Sequence, residues 1–408
     1  MTTGRTIVGI DVGSSKVCTL VGEMGDEGDV RVIGVGLVPS RGVRKGMVVN
    51  VADATTAIAA SVEKAERSSG YKIERAYVGL SGTHVSSLNS RGVVGISRRE
   101  HGITMEDVDR ALDAAHAIAV PHNQEVVHVI PRSYVVDGQD GVHDPVGMHG
   151  FRLEVETHIV IGSSASIQNL VKCVEGAGVE VDELVLASIA AGDAVLTDTE
   201  REMGVVLADV GAGTADIAIF IDGTVWHTVT LGVGGEYVTG DIAIGLRLPP
   251  DVAEQVKIEH GHACAAQVPP EARVTVPAFG GETRQVVPHW KLAEIIGARV
   301  EEILSMIQQE VKRSGYDGLL SAGVVLCGGT AQLPGIQELG RDILGLPVRV
   351  GAPQSIRGLV DKVSNPAHAV GAGLMGWGMT VDTRPQLPKH GPGVGRRLLN
   401  WLRVFLPG

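Results

Sequence analysis

Two short segments decide how this chain folds: GIDVGSSK at residues 9–16 and DVGAGTAD at residues 209–216. Each follows an apolar run and leads into a second apolar run after its glycines, which predicts two strands joined by a tight turn. The same strand-turn-strand element thus stands once in each half of the chain. An internal duplication of this kind predicts two related lobes.

The first hairpin carries the residue types that a phosphate site needs. Asp11 ends a strand and could hold a hydrated Mg²⁺, and Gly13 lets the backbone approach a ligand closely. Ser14 and Ser15 add donors, and Lys16 could offset phosphate charge. Taken alone, the motif is equally compatible with an ordinary hairpin turn.

The other glycine turns favour a ligand site. The second hairpin repeats Asp-x-Gly, and a third turn closes the apolar run VVLCGG, where small residues would let a flat purine lie against the backbone. Ligands of open α/β sheets collect at such strand ends, although no P-loop sequence occurs. The candidate residues of these two turns are Asp209, Gly211, Gly213, Thr214, Asp216, Gly328, Gly329 and Thr330.

Composition limits the alternatives. The 408 residues suggest two to three domains, and the net charge of −12 disfavours nucleic acid as a partner. No apolar run reaches the length that spans a bilayer, and the four cysteines form no C-x-x-C pair. We expect a globular cytoplasmic protein with buried thiols.

Periodicity predicts the main elements around the hairpins. Residues 5–39 read as a three-stranded meander followed by a helix over 52–68, and residues 84–162 read as an inserted α+β module with a capped helix at 104–118. A long apolar stripe predicts a helix over 292–311. The histidines His116, His122 and His128 share no face and are expected to be unrelated surface residues.

With these motifs, the chain resembles the actin, Hsp70 and sugar-kinase ATPase superfamily. The segments HVIPRSYVVDGQDGVHDPVGMHGFRLEVETHIVIG (128–162) and NLVKCVEGAGVEV (169–181) are similar to the distinctive subdomain of the FtsA family, the bacterial actin-like cell-division proteins. The resemblance covers residues 5–378 and recurs in the tail. It implies an α/β, two-lobed actin-like ATPase fold with an internally duplicated core and an inserted α+β subdomain.

The resemblance also implies a division of the chain. Subdomain 1A would comprise residues 1–83 and 163–197, with subdomain 1C inserted at 84–162. Subdomain 2A would comprise residues 198–236 and 318–378, and subdomain 2B residues 237–317. A flexible linker at 379–394 would lead to an amphipathic membrane-targeting helix at 395–408.

The family's ligands are ATP and Mg²⁺. By the resemblance, the residues of the three turns would contact the nucleotide, and Asp11 and Asp209 would hold Mg²⁺ through water. Glu254 and Lys257 would contact ribose and base, and Gly235 would belong to another turn that lines the nucleotide. Active hydrolases of the superfamily usually carry Glu or Gln in the segment joining the lobes, where LVLASIAAGDAVL places Leu186 or an apolar neighbour. We therefore expect nucleotide binding with slow or absent hydrolysis and no catalytic residue.

The tail RRLLNWLRVFLP at residues 396–407 has an apolar arc and a cationic opposite side. Twelve helical residues span only about 18 Å, too short to cross a bilayer, so an in-plane anchor on anionic lipid is expected. A helix folded back on the body, or paired with a partner helix, is the alternative. The candidate membrane residues are Arg396, Arg397, Leu398, Leu399, Trp401, Leu402, Arg403, Phe405 and Leu406.

The resemblance implies a cell-division scaffold on the cytoplasmic side of the membrane at the septum. It would polymerise, bind the C-terminal peptide of the tubulin-like protein FtsZ around residues 237–317, tether FtsZ filaments and recruit later division proteins. A small-molecule kinase of the same fold is the enzymatic alternative. An actin-like tether such as a pilus-assembly protein is a further one.

Overall fold

The computed structural model describes residues 6–25, 30–97, 102–117, 120–277, 284–354, 356–359 and 363–380. Its strands are β1 Thr6–Val12, β2 Lys16–Met24, β3 Val30–Pro39, β4 Val43–Arg44, β5 Met47–Val48, β6 Arg75–Leu80, β7 Val85–Gly95, β8 Gln124–Val136, β9 Gln139–Val142, β10 Arg152–Ser163, β11 Glu180–Leu186, β12 Val205–Val210, β13 Ala215–Ile221, β14 Thr224–Leu231, β15 Arg273–Pro277, β16 Arg284–Pro288, β17 Gly323–Cys327, β18 Val348–Val350 and β19 Ile356–Gly358. Its helices are α1 Val51–Ser69, α2 Met105–His116, α3 Ser164–Gly176, α4 Ala187–Val195, α5 Asp198–Met203, α6 Gly235–Leu246, α7 Pro250–His260, α8 His289–Ser314, α9 Ile336–Leu344 and α10 Ala369–Thr380. Short 3₁₀ turns cover Ala265–Gln267, Asp317–Leu319, Thr330–Gln332 and Pro366–His368.

Two sheets with related strand order form the centres of two lobes. Lobe 1 has the order β11-β6-β1-β2-β3-β19, and lobe 2 has the order β14-β13-β12-β17-β18. In each lobe an antiparallel hairpin pairs through its first strand with a parallel strand, β6 in lobe 1 and β17 in lobe 2. The predicted internal duplication is therefore confirmed.

The central strands are buried on both faces. Every residue of β12 and of β13 is buried, and both read as continuous apolar runs around their acidic residues. Such runs are typical of strands covered by other elements on both sides. This double burial fixes the strand ends rigidly, and the turns that follow them are positioned accordingly.

Helices α4 and α10 pack against each other between the two sheets. Helix α10 contacts β1, β2 and β6, whereas α4 contacts β11, β12 and β13. The backbone of Gly373 lies directly on that of Ala190, leaving no space for a side chain. Because α10 extends to Thr380, residues 379 and 380 of the predicted linker are helical.

The inserted segment forms a four-stranded sheet, β7-β10-β8-β9, with α2 on one face. Thr104 and Asp107 form a capping box that starts α2. The buried face of this helix packs on β7 and β10, which gives the insert a core of its own. The predicted module and its helix are present, the helix ending at His116 rather than 118.

The insert is anchored to both lobes by polar contacts. The ring of His158 bonds to Thr228 of lobe 2 through Nε2 and Oγ1 at 2.9 Å. His128 is buried and its Nε2 accepts from the backbone N–H of Leu186 at 3.0 Å. The expectation that His128 is a surface residue is therefore wrong, since this imidazole joins the insert to lobe 1.

The segment between β14 and β17 is mostly helical. Helix α8 is longer than the predicted 292–311, beginning at His289 and ending before the left-handed residue Gly315. The apolar stripe that the periodicity predicted is buried, and the helix packs against α6 and α9. The stripe comprises Leu292, Ile296, Val300, Ile303, Leu304, Ile307 and Val311.

Two predictions concern other parts of the chain. The cysteines are free, and Cys18, Cys173 and Cys327 are buried as expected. Within the ranges that the structure describes, no helix is both long and apolar enough to cross a membrane. The predicted amphipathic helix at 395–408, and the linker from residue 381 onward, lie outside the described residues.

Candidate functional site

The two hairpins turn with the same backbone geometry. In lobe 1 the N–H of Gly13 donates to the carbonyl of Lys16 at 3.0 Å, and in lobe 2 the N–H of Gly211 donates to the carbonyl of Thr214 at 2.9 Å. The two turns approach each other, since a methyl group on Gly213 would lie 2.5 Å from Ser14 Oγ. The lobes therefore present matching glycine turns to one another.

The strand positions before and after the turns carry the acidic residues. Asp11 lies opposite Cys18 in the first ladder, and Asp209 lies opposite Asp216 in the second. Asp216 is buried and accepts from three hydroxyl groups, those of Ser81, Thr214 and Thr230. Because Ser81 follows β6 of lobe 1, this carboxylate joins the lobes.

The third glycine turn packs beside the second hairpin. Gly328 has φ +87°, and its Cα faces Asp209 and the backbone of Val210 so closely that no Cβ would fit. The hydroxyl of Thr330 donates to the carbonyl of Gly211 at 2.8 Å. This close backbone approach explains why glycine is needed here.

Lys16 crosses from the first hairpin to the start of α10. Its ammonium donates to the carbonyl of Ala367 at 2.5 Å. Gly328 contacts the same segment, its N–H donating to the carbonyl of Pro366 at 3.0 Å. The first and third turns are thereby held at a fixed separation.

The residues predicted near ribose and base also converge. Lys257 Nζ lies 2.7 Å from a carboxylate oxygen of Glu254, and donates to the carbonyl of Gly235 at 3.1 Å and to the hydroxyl of Thr239 at 2.9 Å. Gly235 N–H in turn donates to the carbonyl of Gly211 at 3.0 Å. The start of α6 is thus connected to the second hairpin.

One cavity of about 550 Å³ collects these turns, a volume in the range of small-molecule sites. Every predicted nucleotide-site residue lines it: Asp11, Gly13, Ser14, Ser15, Lys16, Asp209, Gly211, Gly213, Thr214, Asp216, Gly235, Glu254, Lys257, Gly328, Gly329 and Thr330.

The cavity has further lining residues that the sequence analysis missed. Gly79 lies near the end of β6, and Ser81 follows this strand. The pattern that identified the other turns, small residues at the end of an apolar strand, could also have identified this one. Gly46 comes from the β4–β5 turn, where no local signal pointed to a ligand. The others are small or apolar apart from Gln332: Val12, Ala187, Ala212, Ile258, Leu333, Pro334, Pro366, Ala367, Ala369 and Val370.

Burial raises the pKa of three carboxyl groups in the cavity, those of Asp11, Asp209 and Asp216. The pKa of Asp209 rises to about 8, because burial and the charges of Asp216 and Asp11 disfavour its ionised form. Burial raises the pKa of Asp11 to about 6, although Lys16 opposes the shift. Burial raises the pKa of Asp216, although the hydrogen bonds that its carboxylate accepts from three hydroxyl groups oppose the shift. Three buried carboxyl groups, opposed in this part of the cavity by Lys16, make a site that attracts further cationic charge.

This donor set fits a hydrated Mg²⁺. Among the residues the structure describes, no group of three or more His, Cys, Asp or Glu side chains could hold a metal ion by itself. Mg²⁺ keeps several waters and is commonly bound by one or two carboxylates together with substrate phosphates. Asp11 and Asp209 are suited to that role, and the bound ion would relieve their repulsion.

The segment joining β11 to α4 carries no acid at the cavity. Leu186 is buried and Ala187 lines the cavity wall. These two positions therefore offer no carboxylate to position an attacking water.

Two duplicated lobes, glycine turns that meet in an interlobe cavity and an inserted subdomain define an actin-like protein. Solved structures of such proteins are similar in fold: the PilM-PilN type IV pilus biogenesis complex has TM-score 0.64 at 16% identity, covering 91% of this chain and 98% of that chain. MreB 5 of Spiroplasma citri bound to AMPPNP has TM-score 0.56 at 13% identity, covering 97% and 99%. The MamK double helical filament has TM-score 0.52 at 14% identity, covering 94% and 100%. These confirm the predicted fold class.

Sequence comparison identifies the family. Residues 206–373 match the family described as Cell division protein FtsA, and residues 82–161 match the SHS2 domain inserted in FtsA. The cell division protein FtsA of Pseudomonas aeruginosa is 42% identical over 376 residues, 92% of this chain and 90% of that protein. The FtsA of Escherichia coli K12 is 36% identical over 412 residues, 98% of each. The chain belongs to the FtsA family of actin-like cell-division proteins, as the resemblance indicated.

Proposed function

We propose that this protein binds ATP and Mg²⁺ between its lobes, polymerises, and tethers FtsZ filaments to the inner face of the cytoplasmic membrane, where it recruits later division proteins. The observation that carries the proposal is the convergence of all three glycine turns on one interlobe cavity. Such a cavity couples any bound ligand to the relative position of the lobes, which suits a protein whose assembly depends on nucleotide.

The nucleotide assignment rests on chemistry. The glycine turns and Lys16 would bind the phosphates, Asp11 and Asp209 the hydrated Mg²⁺, and the region of Glu254 and Lys257 the ribose and base. A relative in fold, MreB 5, has been solved with AMPPNP, which supports a nucleoside triphosphate. Because the apolar Leu186 stands where hydrolases of the superfamily usually carry Glu or Gln, we expect slow or absent hydrolysis.

The membrane assignment rests on the tail sequence. Arg396, Arg397 and Arg403 oppose the net charge of −12 of the whole chain, so that the tail rather than the body is attracted to anionic lipid. Trp401 and Phe405 are side chains suited to the interface. A single short helix binds weakly, and a filament that presents many tails gains avidity.

The partner assignments are supported by exposed apolar side chains. In residues 237–317, where the FtsZ peptide is expected, Ile244 and Val286 are 80% and 64% exposed. In the inserted subdomain, where self-assembly and late-protein contacts are expected, Val93 and Phe151 are 43% and 59% exposed. Exposed large apolar residues are typical of contact surfaces when they cluster.

These two surfaces can be tested against each other. Ile244→Glu should weaken binding of a labelled FtsZ C-terminal peptide at least 10-fold while leaving filament formation intact. Val93→Glu should do the reverse, because it lies on the other subdomain. Fluorescence anisotropy and negative-stain microscopy provide the two measurements, and equal effects of both variants would contradict the assignment.

The tether is tested by co-sedimentation with anionic liposomes, with and without ATP and Mg²⁺. The full chain should pellet with lipid when ATP is present, and a chain ending at Val394 should stay in the supernatant. A full-length variant with Arg396, Arg397 and Arg403 changed to Gln serves as the matched control for charge, and should bind neutral and anionic vesicles equally weakly. If every variant, the full chain included, stays in the supernatant under all conditions, the tether proposal fails, while the membership of the FtsA family stands.

A further inference from the structure

The short turn between β4 and β5 touches both duplicated hairpins. The N–H of Gly46 donates to Ser14 Oγ in lobe 1 at 3.3 Å. On the other side, a methyl group on Gly213 of lobe 2 would lie 3.1 Å from the Cα of Lys45. This turn therefore lies where the two predicted phosphate turns come together, although neither hairpin contains it.

Lys45 crosses the cleft from this turn. Its ammonium donates to the hydroxyl of Tyr237 in α6 at 2.5 Å and lies 5.1 Å from the centre of that ring. Its stem lies near Gly232, where an added methyl group would come within 3.9 Å of Nζ. The contact joins lobe 1 to the first turn of α6, two residues after Gly235, which lines the cavity.

The backbone at Lys45 is strained. This residue has φ +50°, a left-handed conformation that is unfavourable for residues with a Cβ atom. Two nearby residues in left-handed conformation, Gly42 and Gly46, both with φ +73°, are glycines. Glycine or asparagine would adopt this conformation at lower cost, so a lysine at this position points to a use for its ammonium group.

Tyr237 has a second cation beside it. The guanidinium carbon of Arg299 lies 5.6 Å from the centre of the ring, and Arg299 is itself held by Asp241 through bonds of 2.6 and 3.1 Å. Tyr237 therefore keeps a cationic neighbour if Lys45 departs. Lys45 can therefore leave Tyr237 while the tyrosine ring keeps its contact with Arg299.

We propose that Lys45 senses the terminal phosphate of the nucleotide. Without that phosphate the ammonium binds Tyr237 and joins the lobes across the cleft, and a nucleoside triphosphate draws it from Tyr237 toward the phosphate turns of Ser14 and Gly213. The triphosphate and diphosphate states then differ in the interlobe contact between Lys45 and Tyr237. Because Tyr237 belongs to α6, the position of this helix and its subdomain would depend on which nucleotide is bound. This inference rests on the proposed nucleotide binding and assigns a regulatory residue to that site.

The test compares the affinities for ADP and for AMPPNP, each with Mg²⁺, by isothermal titration calorimetry on the full chain. Lys45→Met should weaken AMPPNP binding about 10- to 100-fold, the range of a charge-assisted hydrogen bond, and ADP binding less than 3-fold. Tyr237→Phe should leave AMPPNP binding unchanged or tighter, because the competing acceptor is gone. Lys64→Met removes an exposed lysine of the same lobe and is the matched control, for which both affinities should stay as in the unmodified chain.

A second readout does not depend on any variant folding. Lysine acylation by a dilute N-hydroxysuccinimide ester, followed by mass spectrometry, should label Lys45 more slowly with AMPPNP than with ADP, while Lys64 is labelled equally in both. If Lys45→Met weakens both nucleotides equally, or if labelling of Lys45 is the same in both states, Lys45 is only a structural contact and the inference is overturned. A native chain that binds neither nucleotide would instead overturn the proposed function itself.

Discussion

The two hairpins of the duplicated core share a backbone and differ in charge. At equivalent positions lobe 1 has Lys16 and Cys18, and lobe 2 has Thr214 and Asp216. The shared turn geometry comes from the glycine and from identical strand pairing, so it survives the divergence of the side chains. The difference shows that the hairpin of lobe 1 carries a lysine and one buried carboxyl group, whereas the hairpin of lobe 2 carries two buried carboxyl groups and no lysine. The two hairpins are therefore complementary rather than interchangeable.

The two hairpins are also tied to the rest of the molecule in different ways. Lys16 reaches the turn before α10, whereas Asp216 gathers hydroxyl groups from both lobes. A nucleotide with a bound metal ion would suit both hairpins, because its phosphates would interact with Lys16 and its metal ion with the carboxylates. A substitution in one hairpin should therefore change ligand affinity or stability by a different amount than a substitution at the matching position of the other hairpin.

The largest effect is expected at the position where the hairpins differ in charge. Lys16→Met should weaken ATP binding about 100-fold, because a charge-assisted bond to phosphate is lost. Thr214→Val at the matching position should weaken it only about 10-fold or less, because a neutral hydroxyl is lost. Calorimetry on the two variants measures the ratio, and a larger loss for Thr214→Val would show that the assignment of the cation is wrong.

The next effect concerns the stability of the nucleotide-free chain. Its Asp209 has a pKa of about 8, above the value near 4 of an exposed aspartate, so the folded state binds more protons than the unfolded state between these values. Stability should therefore fall as the pH rises from about 4 to 8. Asp209→Asn should remove the penalty and raise the free energy of unfolding at pH 8 by about 1–3 kcal/mol.

Urea unfolding at pH 6 and pH 8 checks this expectation. The difference between the variant and the unmodified chain should be larger at pH 8, where the native aspartate is increasingly ionised. Cys18 occupies the position in lobe 1 that Asp216 holds in lobe 2, and Cys18→Ser is the matched control that should leave the pH dependence unchanged. A variant that is less stable than the unmodified chain at pH 8 would contradict the account of buried charge.

The pH dependence of ligand binding should have the opposite sign. Mg²⁺ needs ionised carboxylates, so its binding with nucleotide should release protons and strengthen as the pH rises through the pKa of about 8 of Asp209. Between pH 7 and pH 8.5 the affinity for ATP with Mg²⁺ should rise about 3- to 10-fold. In Asp209→Asn the profile over this range should be flat, and a persistent slope would assign the proton to another group.

The smallest difference is expected at the turn glycines. A methyl group on Gly13 would lie 3.0 Å from the carbonyl oxygen of Lys16, whereas on Gly211 it would lie 3.4 Å from that of Thr214. Gly13→Ala should therefore cost about 0.5–1 kcal/mol more of unfolding free energy than Gly211→Ala. Equal costs in urea unfolding would mean that the two turns are equally adaptable.

The parts of the site that the sequence predicted are those with local signals. Glycine and aspartate at the end of an apolar run identified both hairpins and the third turn, because a strand end followed by small residues is visible in one segment. Lys257 and Glu254 needed the family resemblance, since their spacing alone is typical of any exposed helix face.

The residues that were missed depend on contacts between distant segments. Gly46 reaches Ser14 from the β4–β5 turn, and Lys45 reaches Tyr237 over 192 positions of sequence. The burial of His128 is not predicted, because nothing nearby in the sequence indicates that the insert packs on Leu186. Such pairings arise from the way the lobes and the insert meet, and no local pattern encodes them.

The central claim is that the charge difference between the hairpins serves a nucleotide with its metal ion. Titration calorimetry of the full chain with ATP, in the presence of Mg²⁺ and in the presence of EDTA, tests it most directly. The account predicts binding that is at least 10-fold tighter with Mg²⁺, and an Asp11→Asn, Asp209→Asn double variant in which Mg²⁺ makes no difference. ATP binding of equal strength with and without Mg²⁺ in the unmodified chain, or no binding at all, would contradict it.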